Sequence, residues 1–355
     1  MQIPTDEFWM SRCFDLAARG IGSVSPNPPV GAVLVHKGVL LAEGYHHHFG
    51  GPHAEVDVLQ NVPFEKKHLI PEATLYVSLE PCCTFGKTPP CTDRILETGI
   101  KDVRIAVLDP NPAVAGQSIS LLRKNGIQTK VGILEEKGNA LIKHFRINIL
   151  HHRPYVILKW AQSKFGISGV HGKQFWFSDP RTQSWSHRLR AEFDSIMVGA
   201  RTVATDDPAL TTRAYPGRSP ARVIYDPNGR LDQHHRVFNA DGIPVFYFSA
   251  VENKVSTSAL APVSAHLLHG TEGHTKQMLA RLFQHQVGSV IVEGGSYLHH
   301  LFVRDNLWDE AWVVQTPNEL NSGIRAPNLQ GRLIDQFTIG PDKIIGMAND
   351  KLKNI

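Results

Sequence analysis

Cysteine is scarce in this chain: four residues out of 355, at positions 13, 82, 83 and 91, all within the first 91. That excludes a disulfide-stapled scaffold, and in a reducing compartment clustered thiols beside a histidine read as a metal site. Long apolar runs are missing too. No stretch approaches the roughly 18 apolar residues that would suggest a membrane span. Met1 to Glu7 have neither the basic start nor the apolar run of a secretory signal. The expected location is the cytoplasm, with no membrane partner. Neither sign of charge dominates: 37 Lys and Arg face 33 Asp and Glu, for a scattered net charge of +4. No basic tract points to nucleic acid. A Gly-x-Gly-x-x-Gly fingerprint is absent, which removes the usual dinucleotide-binding Rossmann unit.

What the chain does have is Pro52-His53-Ala54-Glu55, followed by Glu80-Pro81-Cys82 and then, after eight residues, Cys91. His53, Cys82 and Cys91 offer three nitrogen and sulfur ligands. That is a catalytic zinc set, with the fourth tetrahedral position open. Glu55 is placed to carry protons rather than to bind metal. His-x-Glu followed by Pro-Cys and a further Cys is the signature of zinc-dependent deaminases acting on nucleobases and their relatives. One Zn2+ per chain is expected. In such chemistry zinc acidifies a water, and the Glu hands protons in turn to the ring nitrogen and to the departing ammonia. The signature usually ends in Cys-x-x-Cys, so the longer loop marks a separate branch. Cys13 reads as a core thiol on the apolar side of a helix capped by Thr5. Cys83 is not expected to bind metal, because adjacent residues rarely share one tetrahedral ion.

The length suggests two domains. The likeliest linker is His151-His152-Arg153-Pro154, which gives domains of 1–150 and 151–355. In the first, strands are expected at 30–35, 39–43, 74–79, 103–108 and 129–133. Helices are expected from Thr5, at 52–60, 92–98, 116–124 and 135–149. Metal ligands then fall at the N-terminal ends of two helices, where the dipole favours thiolate. In the second, strands at 155–160, 194–199, 222–226, 244–248, 289–292 and 308–315 alternate with helices at 180–190, 277–285 and 296–305. That alternation implies a mostly parallel sheet with antiparallel strands at an edge. Val290 to Ser296 reads as a buried strand, a Gly294-Gly295 turn and a helix start, which can cradle a phosphate.

The loop Gly86-Lys87-Thr88-Pro89-Pro90-Cys91 narrows the family. With it go Asn27-Pro28 before Val30-Gly31, Pro52 to Val56, and Asp109-Pro110-Asn111-Pro112. Over nearly the whole chain the sequence resembles the bifunctional deaminase/reductase family of riboflavin biosynthesis. The resemblance implies an α/β fold: a cytidine-deaminase-like three-layer domain, then a dihydrofolate-reductase-like domain using NADPH. It implies deamination of a phosphoribosylamino pyrimidine, then reduction of its ribosyl group to ribityl. It assigns Asn27, His46 and Lys87 to the first substrate. For cofactor it assigns Ala161, Trp176, Thr202, Asp206 and the turn Gly295, Ser296, Tyr297, Leu298, His299, His300 and Leu301. For the second substrate it assigns Gln174, Arg190, Leu210, Arg213 and Glu293, with the two arginines as phosphate forks. It also implies a homo-oligomer, a dimer or tetramer. The chain departs from the family pattern at Cys83-Thr84, Gln117-Ser118, Lys164-Phe165, Phe177 to Asp179 and Asn318-Glu319.

Two other readings compete. One is an active deaminase with a degenerate second domain that only binds ligand or builds the oligomer; the altered 163–166 segment motivates it. The other is a nucleic-acid-editing deaminase. It would call for Cys-x-x-Cys and a basic groove, and the chain has neither.

Overall fold

The computed structural model describes residues 4–252 and 262–350. The chain divides into two compact units, Met1–His151 and His152–Ile355.

The first unit opens with α1 (Asp6–Ala18), where Thr5 Oγ1 accepts from Phe8 N–H at 3.3 Å. Two strands follow, β1 (Gly31–His36) and β2 (Val39–Tyr45). Next come α2 (Ala54–Gln60), β3 (Thr74–Leu79), α3 (Cys91–Thr98) and β4 (Asp102–Val107). The unit ends with α4 (Gln117–Lys124), β5 (Gln128–Val131), α5 (Glu135–Leu141) and α6 (Lys143–His151). The sheet order is β2-β1-β3-β4-β5. Side chains alternate across it, as a pleat requires. Ala32 and Leu34 pack with Val58 of α2, Ile95 of α3 and Leu122 of α4. Val33 and Val35 pack with Trp9, Met10 and Cys13 of α1 on the other face. Helices on both faces give three layers, and β1 is buried on both sides. Cys13 is a core thiol, its Sγ 3.5 Å from the Tyr76 carbonyl. The single helix expected over 135–149 is two. Ile142 leaves helical geometry between them (φ −97°, ψ +16°), and its side chain is buried in the α1-side core.

The second unit is built on a nine-stranded sheet. In chain order it comprises β6 (Tyr155–Gln162), β7 (Ile167–Gly169), α7 (Pro180–Glu192), β8 (Ser195–Gly199), α8 (Ala200–Asp206) and β9 (Ala221–Tyr225). There follow β10 (Val245–Ser249), β11 (Val263–Leu267), α9 (His274–Gln284), β12 (Ser289–Gly294) and α10 (Ser296–Arg304). Last come β13 (Glu310–Gln315), β14 (Ile324–Arg325), β15 (Arg332–Ile339) and β16 (Asp342–Ala348). The order is β11-β10-β9-β8-β12-β6-β13-β16-β15, with β7 and β14 pairing separately. All pairs from β11 to β13 are parallel; β16 runs antiparallel to both β13 and β15. Central parallel strands are covered on both faces, and the runs Val156–Leu158 and Val290–Val292 are accordingly buried throughout. The register pairs Val292 with Leu158 and with Met197. The carboxyl ends of β6, β8 and β12 therefore lie side by side. At the opposite end Arg153 and Asp309 form a buried two-pronged ion pair, both contacts at 2.7 Å. Val156 N–H donates to the same carboxylate at 2.7 Å.

Two candidate active sites

In the first unit His53 caps α2 and Glu55 lies in its first turn. Cys82 follows β3, and Cys91 opens α3. The loop between them folds back: Cys91 N–H donates to Cys82 Sγ at 3.3 Å, and Thr92 N–H to the Cys82 carbonyl at 3.1 Å. His53 Nδ1 lies 3.5 Å from Cys82 Sγ and 3.3 Å from Cys91 Sγ. All three ligand atoms fall within 4.8 Å of one another. A tetrahedral zinc with ordinary bond lengths sets its nitrogen and sulfur ligands about 3.5 Å apart. The donor set and spacing fit that ion. Cys83 is not among the converging atoms.

The electrostatics divide the roles. A hydrogen bond from the Cys91 thiol, more than the one from His53, lowers the Cys82 pKa to about 4, against the opposing effect of burial. A bound zinc would take both Cys82 and Cys91 as thiolates. Glu55 is only 3% exposed. Burial first, and then the neighbouring Cys82, raise its carboxyl to about 7. A carboxyl in that range can both take and give a proton near neutrality.

His46 and Asn27 stand beside this centre. His46 Nδ1 donates to the Pro52 carbonyl at 2.8 Å, so Nε2 accepts from Asn27 Nδ2 at 3.1 Å. The His46 ring lies 5.2 Å from that of His53. Lys87 rests 3.9 Å above the Phe49 ring, a cation–π contact. One residue escaped the sequence reading. Glu80, two before Cys82, is buried and gathers Asp109 N–H (3.1 Å), Gly116 N–H (3.0 Å), Ser118 N–H (3.2 Å) and Ser118 Oγ (2.7 Å). It ties the 109–118 loop to the metal-ligand segment. The signal available was Glu80 itself, an acid closing an apolar strand.

In the second unit a cavity of about 320 Å³ opens at the carboxyl ends of β6, β8 and β12. Ligands of open α/β sheets bind at that end. Ala161, Trp176, Thr202, Asp206, Gly295, Ser296 and His299 line it, as do Gln174, Arg190, Leu210, Arg213 and Glu293. The rest of the expected cofactor turn does not. Leu298 and Leu301 are buried in the sheet's core, while Tyr297 and His300 are exposed. The turn becomes helix α10 at Ser296, so helical periodicity sends alternate residues away from the cavity. The glycines before it are required. A Cβ on Gly294 would stand 2.9 Å from Val198 Cγ1, and Gly295 has φ +80°.

Charge is concentrated at the cavity's inner end. Arg190 grips Glu293 with Nε (3.1 Å) and Nη2 (2.7 Å), and its Nη1 donates to the Thr211 carbonyl at 3.1 Å. The guanidinium expected as a phosphate fork is thus engaged with Glu293. Lys159, which the sequence reading passed over, lies 3.9 Å from the same carboxylate. Burial opposes ionisation of Glu293, but Arg190 and Lys159 together lower its pKa to about 2. The signal for Lys159 was a lone cation inside the apolar run 155–160. The altered 163–166 segment lies outside the cavity lining. Lys164 pairs with Glu319, and Lys164 N–H donates to the Asn318 carbonyl at 3.1 Å. Two departures from the family pattern therefore meet as a partnered surface turn.

For the metal centre, Cys82→Ser should lose bound zinc together with deamination. Elemental analysis should find about one zinc per native chain. Full zinc in the variant would remove Cys82 from the ligand set.

Comparison with known proteins places both units. Residues 3–107 match the family model for the cytidine and deoxycytidylate deaminase zinc-binding region. Residues 154–325 match that for the RibD C-terminal domain. The chain is 36% identical to the riboflavin biosynthesis protein RibD of Aquifex aeolicus, over 97% of this chain and 96% of the relative. It is 33% identical to RibD of Escherichia coli, over 90% of each. Among solved structures it is similar to a diaminohydroxyphosphoribosylaminopyrimidine deaminase/5-amino-6-(5-phosphoribosylamino)uracil reductase from Thermotoga maritima, with TM-score 0.88, 34% identity, 97% of this chain and 98% of that one. Acinetobacter baumannii RibD gives TM-score 0.87 at 30% identity, with 97% and 98% covered.

Proposed function

The chain belongs to the RibD family of riboflavin biosynthesis proteins, and on that premise we propose that it performs two consecutive reactions in two separate domains. Residues 1–150 deaminate the diaminohydroxyphosphoribosylaminopyrimidine. Residues 151–355 reduce the resulting phosphoribosylaminouracil at its ribosyl group, giving ribityl. The observation that carries this reading is the convergence of His53, Cys82 and Cys91 beside buried Glu55.

A zinc held by His53, Cys82 and Cys91 would supply Lewis acidity and acidify the attacking water. Glu55 takes one proton from the attacking water and gives it to the pyrimidine ring nitrogen, then moves the second from the resulting hydroxyl to the amino group, which leaves as ammonia as the carbonyl forms. Asn27 and His46 orient the ring, and Lys87 reaches for the phosphate. In the second domain NADPH supplies the hydride. Ala161, Trp176, Thr202, Asp206 and the Gly295 turn hold the cofactor, while Arg213, Leu210, Gln174 and the Arg190–Glu293 pair hold the sugar phosphate. Their task is orientation, because hydride transfer needs no protein nucleophile. Family resemblance supports a homo-oligomer of two or four chains and a cytoplasmic location.

The degenerate-domain alternative is not favoured, since the residues that motivated it lie on a partnered turn away from the cavity. A coupled assay on the purified chain tests the whole reading, with ammonia release and NADPH oxidation followed separately. Both signals are expected, the second only after the first. Ammonia release with NADPH bound but never oxidised would reinstate the degenerate-domain alternative.

A further inference from the structure

His187 carries no motif. It lies one turn before Arg190 on α7, is 4% exposed, and borders the second-unit cavity. Its Nδ1 accepts two backbone hydrogen bonds, from Arg213 N–H at 3.0 Å and Ala214 N–H at 3.5 Å. A nitrogen that accepts carries no proton, so the neutral ring must carry its hydrogen on Nε2. A proton on Nδ1 would face two N–H donors. The surroundings act the same way. Burial first, then Arg190 of the same helix and Arg213 of the following loop, lower its pKa to about 4. Glu293 of β12 opposes this and Lys159 of β6 adds to it. Among the described residues Nε2 meets no hydrogen-bond partner, and the ring borders open space.

The same corner carries Arg213, which forms no ion pair among the described residues and lines the cavity. The charges acting on His187 are three cations, Lys159, Arg190 and Arg213, and one carboxylate, Glu293; Arg236 and Asp206 also line the cavity. A surplus of positive charge beside a fixed N–H donor suits a phosphate monoester. We propose that His187 is a substrate-binding residue of the reductase cavity, donating from Nε2–H as a neutral imidazole to a phosphate oxygen of the substrate. Its Nδ1 meanwhile fixes the backbone from which Arg213 reaches the same phosphate. This deepens the reductase reading above and rests on it.

Two substitutions in the full chain separate the two nitrogens. In His187→Asn the amide oxygen can replace Nδ1, but nothing replaces the Nε2 donor. In His187→Gln the amide nitrogen reaches the Nε2 position and the loop anchor is lost. The readouts are KM and kcat in NADPH oxidation, the NADPH Kd, and competitive inhibition by inorganic phosphate. For His187→Asn, KM and the phosphate inhibition constant should rise by roughly tenfold or more, the effect of losing a hydrogen bond to a charged group. The NADPH Kd should stay unchanged. His187→Gln should recover part of the phosphate affinity. Because the donor is neutral, the ratio of variant to native KM should stay constant between about pH 6 and pH 8, across the ordinary histidine range. A ratio that falls as pH rises through this window would mean a cationic grip and would overturn the assignment. Native KM and native phosphate inhibition in His187→Asn would overturn it as well. If the native chain itself fails to oxidise NADPH, the reductase reading falls and takes this one with it.

Discussion

Glu55→Gln should keep the fold, the zinc and NADPH oxidation of pre-deaminated substrate, yet lose deamination by roughly 10²–10⁴-fold. The amide has the shape of the carboxylate but cannot carry a proton at neutral pH. Zinc content should not change, because the three ligand atoms come from His53, Cys82 and Cys91 alone. The fold should tolerate the change. The buried carboxyl already sits where burial disfavours its charge, so a neutral amide removes a strain rather than adding one. The check is ammonia release per zinc-loaded chain, native against variant. Turnover within a fewfold of native would mean that another group moves the proton.

Asp309→Asn should destabilise the second unit by about 1–3 kcal/mol, the usual cost of losing a charged hydrogen-bond partner where the remaining cation keeps other contacts, here the Pro154 carbonyl. Arg153 and Asp309 are 9% and 6% exposed, so water cannot take over for the lost carboxylate. The amide can still accept from Val156 N–H, but it cannot answer the guanidinium with two charged contacts. For a domain of this size each kcal/mol is worth roughly 2–4 °C in Tm, so the reductase transition should fall by about 2–12 °C. Deamination should persist at temperatures where NADPH oxidation has gone, since the first unit has its own core. Calorimetry with both activities followed against temperature would measure this. A shift of less than about 2 °C would show that the pair contributes little. Replacing both residues with apolar ones of similar volume should restore most of the loss.

The metal centre was legible because its chemistry is local. His53 and Glu55 are two residues apart, and each thiolate sits at an element boundary that apolar runs and Gly99 mark out. The sheet was legible for the same reason: runs such as Val290-Ile291-Val292 are uninterrupted apolar stretches. The cavity was less so. Lys159 reads as one polar break in a strand until β12 lies alongside and brings Glu293 to it. His187 reads as one more polar residue of an ordinary helix until the chain returns at Arg213, twenty-six residues later. The β15–β16 hairpin was missed because its outer strand is half exposed and has no continuous apolar run. Helix α8 was missed because seven residues are too few to establish a period. Lys164 looked like damage because its partner, Glu319, is far away in sequence and had been noted as a separate oddity.

The strand order has a consequence for synthesis. β6 is the first strand of the second unit to leave the ribosome, yet its two neighbours are β12 and β13. β12 begins at Ser289, roughly 130 residues after β6 begins at Tyr155, so at ordinary elongation rates β6 waits on the order of ten seconds for a partner. Through that interval a strand of eight residues, mostly apolar, has both hydrogen-bonding edges open, the condition under which nascent chains pair with one another. The nascent second unit therefore carries an extended apolar strand without a partner for far longer than the first unit does, where β1 pairs with the next strand, β2.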